Sequence, residues 1–104
     1  MAKVKINPGV CGMDCTVEVT KADRMNYNVK VDCPCKMINE MAGALETVNL
    51  RDALKPQTQS KIYEAAADSK THPVCPVPMA ILKAIEVESG MALPRPVNME
   101  FQQD

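Results

Sequence analysis

The chain has few aromatic residues and no tryptophan. Its 104 residues include only three aromatic side chains, Tyr27, Tyr63 and Phe101. Proteins that bind single-stranded nucleic acid usually stack the bases on aromatic side chains. The chain also lacks a basic stripe, because its 12 Lys and Arg residues are interspersed with 13 Asp and Glu residues. Without concentrated positive charge to neutralise phosphates, we expect no nucleic-acid partner.

Long hydrophobic runs are absent as well. No stretch approaches the roughly 20 apolar residues of a membrane-spanning helix, so we expect no membrane partner. The segment Met1–Ile6 alternates lysine with apolar residues and has no apolar run of secretory-signal length. These features predict a cytoplasmic protein. The cytosol is reducing and the cysteine count of five is odd, so we expect free thiols that serve as packing residues, metal ligands or reactive groups.

The length and the hydrophobic content are those of a single globular domain, 1–104. Hydrophobic residues make up 46% of the chain, which is an ordinary share for a folded protein. Eight of them are methionines, whose flexible side chains fill irregular gaps. We therefore expect one modest and adaptable hydrophobic core.

Three early segments alternate polar and apolar residues, which is the period of a half-buried strand. They are residues 3–6, 16–20 and 27–33. Asn7-Pro8-Gly9 breaks the first segment, and a turn at 22–26 follows the second. These segments predict an antiparallel meander with one buried face.

The apolar period then becomes helical. We expect a helix that begins at Pro34 and carries an apolar stripe of Ile38, Met41, Leu45 and Val48. Asn49 is expected to cap a short turn over 50–54, and Thr58 or Ser60 to open another helix. Cys75-Pro76-Val77-Pro78 should start the longest helix, with Gly90 as its C-terminal cap.

A final alternating segment, Val97–Phe101, predicts a last strand that closes the sheet. The predicted fold class is α+β. It is a two-layer sandwich in which about three helices pack on one face of a four-stranded, mainly antiparallel sheet.

The predicted path brings the cysteines to one end of the sheet. Cys11 and Cys15 lie in the first loop, Cys33 and Cys35 follow the third strand, and Cys75 begins the last helix. Consecutive elements usually neighbour each other through short connections, so three chain segments should deliver their thiols to the same end. We expect this thiol-rich end to be the functional site.

A metal centre is the first functional hypothesis for these thiols. Zinc and iron–sulfur clusters both commonly take four thiolate ligands. We expect Cys11, Cys33 and Cys75 to be the main ligands and Cys15 or Cys35 to supply the fourth. His72 could replace one thiolate. The spacings C-x3-C and C-x-C match no standard zinc or ferredoxin pattern, and an iron–sulfur cluster is slightly favoured over zinc.

The second hypothesis is sulfur chemistry on Cys75 alone. A thiol at a helix N-terminus has its thiolate form favoured by the helix dipole. Cys75-Pro76-Val77-Pro78, followed by a helix and Gly90, resembles the CPxP signature of the TusA/SirA sulfur-carrier family. That resemblance implies a persulfide on Cys75 and protein partners in redox or sulfur metabolism.

A wider resemblance covers the whole chain. Asn7–Gly12, Cys33 and the segment from Cys75 through Glu88 resemble an uncharacterised small-protein family of anaerobic bacteria and archaea. The resemblance implies a reducing setting in which thiols and iron–sulfur clusters persist. A third possibility is an interaction module whose cysteines are only structural. Whether the chain is an enzyme stays open, because no Ser/His/Asp set, phosphate loop or dinucleotide motif is visible.

Overall fold

A computed structural model describes residues 1–9 and 11–103; the predicted Asn7–Gly12 segment therefore includes one residue, Val10, that lies outside the described residues. The described chain forms, in order, β1 Ala2–Ile6, β2 Cys15–Lys21, β3 Asn26–Asp32, α1 Lys36–Gly43, β4 Thr47–Asn49, α2 Leu50–Ala53, α3 Lys61–Asp68 and α4 Val77–Glu88. The strands form one sheet in the order β1-β2-β3-β4, and each neighbouring pair is antiparallel. The predicted α+β fold with a four-stranded antiparallel sheet is confirmed.

One face of the sheet is apolar because the strand register aligns its β-branched residues. Val17 lies opposite Val31, and Val19 lies opposite Val29. Val17 and Val19 are fully buried, whereas Glu18 between them is partly exposed on the polar side of the sheet. This arrangement is the two-residue alternation of a strand that is buried on one face only.

The helices cover this apolar face. α4 packs on β1 and β2, α1 packs on β3, and α3 contacts both helices. The largest fully buried side chains include Tyr27 from the sheet, Met41 from α1, and Ile81 and Ile85 from α4. No helix in the described part of the chain is long and apolar enough to cross a membrane.

The first helix differs from the prediction at both ends. It begins at Lys36 rather than Pro34, because the extended Cys35 is its N-cap and the Asn39 side chain binds the carbonyl oxygen of Cys33 at 2.9 Å. It ends at Gly43, and Val48 lies in β4 opposite Tyr27. The helical placement of Leu45 and Val48 was therefore wrong. A buried apolar residue satisfies a helical stripe or a strand equally well, and Gly43 favours an early end to the helix.

The predicted strand Val97–Phe101 was wrong as well. Residues 91–103 have no regular secondary structure, and Val97, Met99 and Phe101 are 55%, 85% and 102% exposed. β4 is the fourth strand instead. Pro94 and Pro96 hold the chain extended ahead of this segment and have no N–H to donate to a sheet.

The predicted helix boundaries in the second half are confirmed. The Asn49 side chain accepts the N–H of Arg51 at 2.9 Å and caps α2. Ser60, rather than Thr58, caps α3. Gly90 follows α4 with a φ of +85°, the left-handed conformation that a glycine C-cap adopts at low cost.

Replacing Ser60 with alanine should destabilise the fold by about 1–3 kcal/mol. The Ser60 hydroxyl donates to the Ala53 carbonyl at 2.6 Å and accepts the N–H of Ile62 at 3.3 Å, and the residue is 1% exposed. Its loss leaves a buried carbonyl without a partner and uncaps α3. Chemical denaturation measures the effect, and Thr58→Ala, at an exposed position, is the matched control. Equal free energies of unfolding for the two variants would contradict this role of Ser60.

Glu88 should make the stability of the fold depend on pH in the acid range. The backbone N–H of Lys21 donates to its carboxylate at 3.0 Å, and the Met1 ammonium lies 3.1 Å away. The Lys21 hydrogen bond, with help from the ammonium, lowers the pKa of Glu88 below its usual 4.5. A lowered carboxyl pKa contributes stability above the unfolded-state pKa, and this contribution is lost as the pH falls through the folded-state pKa.

The wild type should therefore lose more unfolding free energy than Glu88→Gln does between about pH 5 and 3. Denaturant titrations at several pH values measure this difference. Glu86→Gln makes the same charge change on the same helix and should follow the wild type. If the unfolding free energies of the wild type and Glu88→Gln changed equally with pH, this would be evidence against the contact between Glu88 and Lys21.

Candidate functional site

All five cysteines line one pocket at the end of the sheet where β1 ends and β2 begins. The pocket has a volume of about 150 Å³, and we call it the thiol pocket. Its lining residues are Pro8, Cys11, Met13, Cys15, Cys33, Cys35, Met37, Ile38, Thr71, His72, Val74, Cys75, Pro76 and Val77. Three separate chain segments thus deliver cysteines to one place, as the strand and helix path predicts.

The floor of the thiol pocket is a disulfide between Cys15 and Cys33. Their Cα atoms are 4.4 Å apart and their sulfur atoms 2.07 Å apart. The pair continues the β2–β3 ladder by one step beyond Thr16 and Asp32. Cys15 and Cys33 are only 3% and 7% exposed. The expectation that all five thiols are free is therefore wrong for these two, because the strand register places them opposite each other on the buried face.

The mouth of the pocket carries the free thiols of the described residues. Cys11 is exposed, whereas Cys35 and Cys75 are partly buried. Burial raises the pKa of the Cys75 thiol above its usual 9.0, and the negative charges of ionised Cys35 and Cys11 raise it further. A hydrogen bond from the Val77 N–H acts in the opposite direction but is outweighed. Cys75 is thus a protonated thiol at neutral pH, although its place before a helix favours a thiolate.

A tight loop presents Cys11 at the mouth. The Asn7 side chain accepts the N–H of Gly9 at 3.1 Å, and the N–H of Gly12 donates to the carbonyl of Gly9 at 2.9 Å. Gly9 and Gly12 have φ angles of +86° and +67°, which side-chain-bearing residues rarely adopt. The two glycines therefore permit the turn that brings Cys11 over the pocket.

Proline and helix capping position the other two free thiols. Pro34 separates Cys33 from Cys35, and Cys35 is the N-cap of α1. Cys75 closes a turn in which its N–H donates to the carbonyl of His72 at 3.0 Å, and Pro76 then caps α4. Both thiols are held where the chain enters a helix that packs on the sheet. His72 itself is exposed and lines the pocket.

The pocket walls are mostly apolar and include residues that the sequence did not single out. Met13 and Met37 lie beside the cysteines, with Val74 from the approach to α4. The sequence contained one signal for Met13 as a pocket residue, which was its position between Cys11 and Cys15. Apolar walls weaken the screening of charge by water, so charged thiolates in this pocket interact strongly with each other and with any cation.

Within residues 1–9 and 11–103, no three His, Cys, Asp or Glu side chains are grouped closely enough to hold a single metal ion. Two of the five sulfur atoms are bonded to each other, and the other three surround the mouth. The structure therefore combines a reducible disulfide with three free thiols around one apolar cavity. Reduction of the disulfide would provide five thiols there.

The comparisons with known proteins give a family and no individual relative. The chain matches none of the curated proteins and no solved structure. One family model matches residues 2–101, a range that includes the five cysteines and most of the exposed C-terminal segment. This match agrees with the resemblance to an uncharacterised family. The chain belongs to the family of unknown function DUF6951.

Proposed function

We propose that the protein binds a metal centre in the thiol pocket, with an iron–sulfur cluster favoured over zinc. The observation that supports this proposal is the convergence of all five cysteines, from three chain segments, on one pocket. Thiolates are the usual protein ligands of both centres, and four ligands are typical. A bound centre would supply electron-transfer or Lewis-acid chemistry, and the chain would hold it and limit its access to water.

The ligands we propose are Cys11, Cys35 and Cys75, together with Cys33. The first three are free, and all three line the thiol pocket. Cys33 lies two residues before Cys35, lines the same pocket and becomes a ligand when the disulfide is reduced. This set retains the predicted main ligands Cys11, Cys33 and Cys75 and takes Cys35 as the fourth.

Cys15 is better suited to a structural role. It is the more buried of the two disulfide cysteines, at 3% exposure, and its sulfur lies 3.1 Å from the carbonyl oxygen of Met13. In the reduced protein its thiol proton can be donated to that oxygen, which holds the Cys15 side chain against the core. Cys15 would then pack against the core below the centre.

Loading requires reduction of the Cys15–Cys33 disulfide. Two equivalents of a small thiol open the bond, yielding two cysteine thiols and one small-molecule disulfide, so that electrons and protons balance. The reducing setting implied by the sequence resemblance supplies such thiols. An air-oxidised protein would keep the disulfide and would lack one of the four proposed ligands.

The dimensions of the site favour a cluster over a single ion. Zinc needs four donors, each about 2.1–2.3 Å from one centre. The ligands of a cluster bind different irons and can lie farther apart. A cavity of about 150 Å³ is also several times the ~30 Å³ occupied by one water molecule, which leaves room for a multi-atom group.

The raised pKa of Cys75 counts against a persulfide carrier. A carrier thiol must be an ionised nucleophile, whereas burial holds Cys75 protonated at neutral pH. A metal ion can displace that proton directly, so binding releases protons and weakens as the pH falls. The sulfur-carrier hypothesis stays a prediction from the CPxP resemblance.

Anaerobic reconstitution with ferrous iron and sulfide should load the reduced protein with iron and acid-labile sulfide. Visible absorption and metal analysis measure the loading. Cys11→Ser, Cys35→Ser and Cys75→Ser should each weaken binding by at least about tenfold, because each removes a direct ligand. Cys15→Ala is the matched control and should still bind the cluster. Iron-free wild-type protein, zinc as the only bound metal, or equal loading of all the variants would contradict the proposal.

Alkylation rates should distinguish the thiols in the metal-free, reduced protein. We expect Cys11 to react with iodoacetamide at least about tenfold faster than Cys75 at pH 7, because Cys11 is exposed and the pKa of Cys75 is raised above 9.0. The Cys75 rate should keep rising above pH 9, and metal loading should protect both residues. Mass spectrometry of the peptides gives the rates. Cys75 as the single fast-reacting thiol would instead support the sulfur carrier.

A further inference from the structure

We infer that the C-terminal segment 97–101 forms a fifth strand on the outer edge of β1 in a second copy of the chain. This interaction is separate from the thiol pocket and does not depend on the proposed metal centre. It rests on the exposure of the segment and on the open edge of β1. It also rests on the agreement between the apolar and charged residues of the segment and those of β1.

The segment has the pattern of a strand, but it pairs with no strand among the described residues of its own chain. Val97, Met99 and Phe101 alternate with polar residues, and the three apolar side chains are more than half exposed. The backbone hydrogen bonds described for the tail are local: Met91 and Ala92 donate to the Glu86 carbonyl, and Arg95 donates to Leu93. An alternating apolar segment in water is a typical strand-forming sequence.

β1 offers the complementary edge. It is a terminal strand of the sheet, and β2 is its one partner among the described strands. Alternate N–H and C=O groups on its outer side are therefore free to pair with another strand. Val4, at the middle of β1 and on the core side, is only partly buried, whereas Ala2 and Ile6 on either side of it are buried. A strand added at this edge would cover Val4.

The opposite edge is less suitable. β4 has only three residues, and the chain turns directly into α2 after it. The five residues of β1 equal the length of the tail segment.

When Met99 lies opposite Val4, the apolar side chains of the two strands share one face of the sheet and their charged side chains share the other. The apolar residues of the segment then continue the core side formed by Ala2, Val4 and Ile6. Glu100 lies opposite Lys3 or Lys5, depending on strand direction, on the polar side of the sheet. Lysines on an edge strand normally discourage pairing, so an acidic residue at this position of the incoming strand provides specificity.

A second copy is the occupant that the geometry favours. Among the described residues, no backbone hydrogen bond or strand pairing joins the segment to β1 of the same chain. In a dimer with two-fold symmetry, the tail of each copy pairs with β1 of the other copy, so the same contact forms twice.

Sedimentation equilibrium of the full chain under reducing conditions tests this inference. The wild type should dimerise with increasing concentration. Met99→Asp should raise the dimer dissociation constant at least about tenfold, because it places a charge on the apolar side of the added strand. Gln103→Asp is the matched control: it adds the same charge beyond the strand and should dimerise like the wild type. Both positions are exposed in the single chain, so neither variant should impair folding.

A charge exchange identifies the edge. Glu100→Lys alone should weaken the dimer, and adding Lys3→Glu and Lys5→Glu to it should restore the dimer. A wild type that stays monomeric at all concentrations would overturn the inference, as would pairing of the tail with its own β1. Dimerisation of Met99→Asp equal to that of the wild type would also overturn it, as would failure of the triple variant to recover.

Discussion

The register of β2 between β1 and β3 is the constraint on which the rest of the molecule depends. Cys15, the first residue of β2, lies opposite Ile6 on one side, and the next ladder step on the other side brings it opposite Cys33. The same register stacks Val17 and Val19 into the buried face. A slip of one residue would turn all of these side chains to the polar side. The hydrophobic pattern that stabilises the sheet therefore also places the two cysteines.

The positions of the helices are determined by their packing on this sheet. α1 and α4 pack their apolar sides on its buried face, and both begin at the end where Cys15 and Cys33 lie. Cys35 and Cys75 immediately precede these helices, so core packing by residues such as Met41 and Ile85 fixes where their thiols stand. The thiol pocket is a consequence of how the core closes at one end. Its geometry should be as well defined as the core itself.

Local signals in the sequence were sufficient for most elements and for the meeting of the cysteines. Alternation located β1 to β3, and side-chain caps located α2 and α3. Pairing was harder to predict, because alternation specifies which face a residue occupies but not which edge it joins. This is why Val97–Phe101 was assigned to the sheet and Val48 was not. The disulfide was missed because the cellular compartment argued for free thiols and because Cys15 was assigned to the first loop, whereas it is the first residue of β2.

The same register explains how one fold could serve both an oxidised and a metal-loaded form under the proposed function. Cys15 and Cys33 are neighbours because the strands pair, so opening their bond does not require the sheet to rearrange. Only Cys33, at the strand end, needs to redirect its sulfur toward Cys35 and Cys75. Cys15 stays within the core and keeps the β2–β3 packing. Disulfide formation and metal binding then compete for one sulfur atom, while the energy that stabilises the fold is common to both forms.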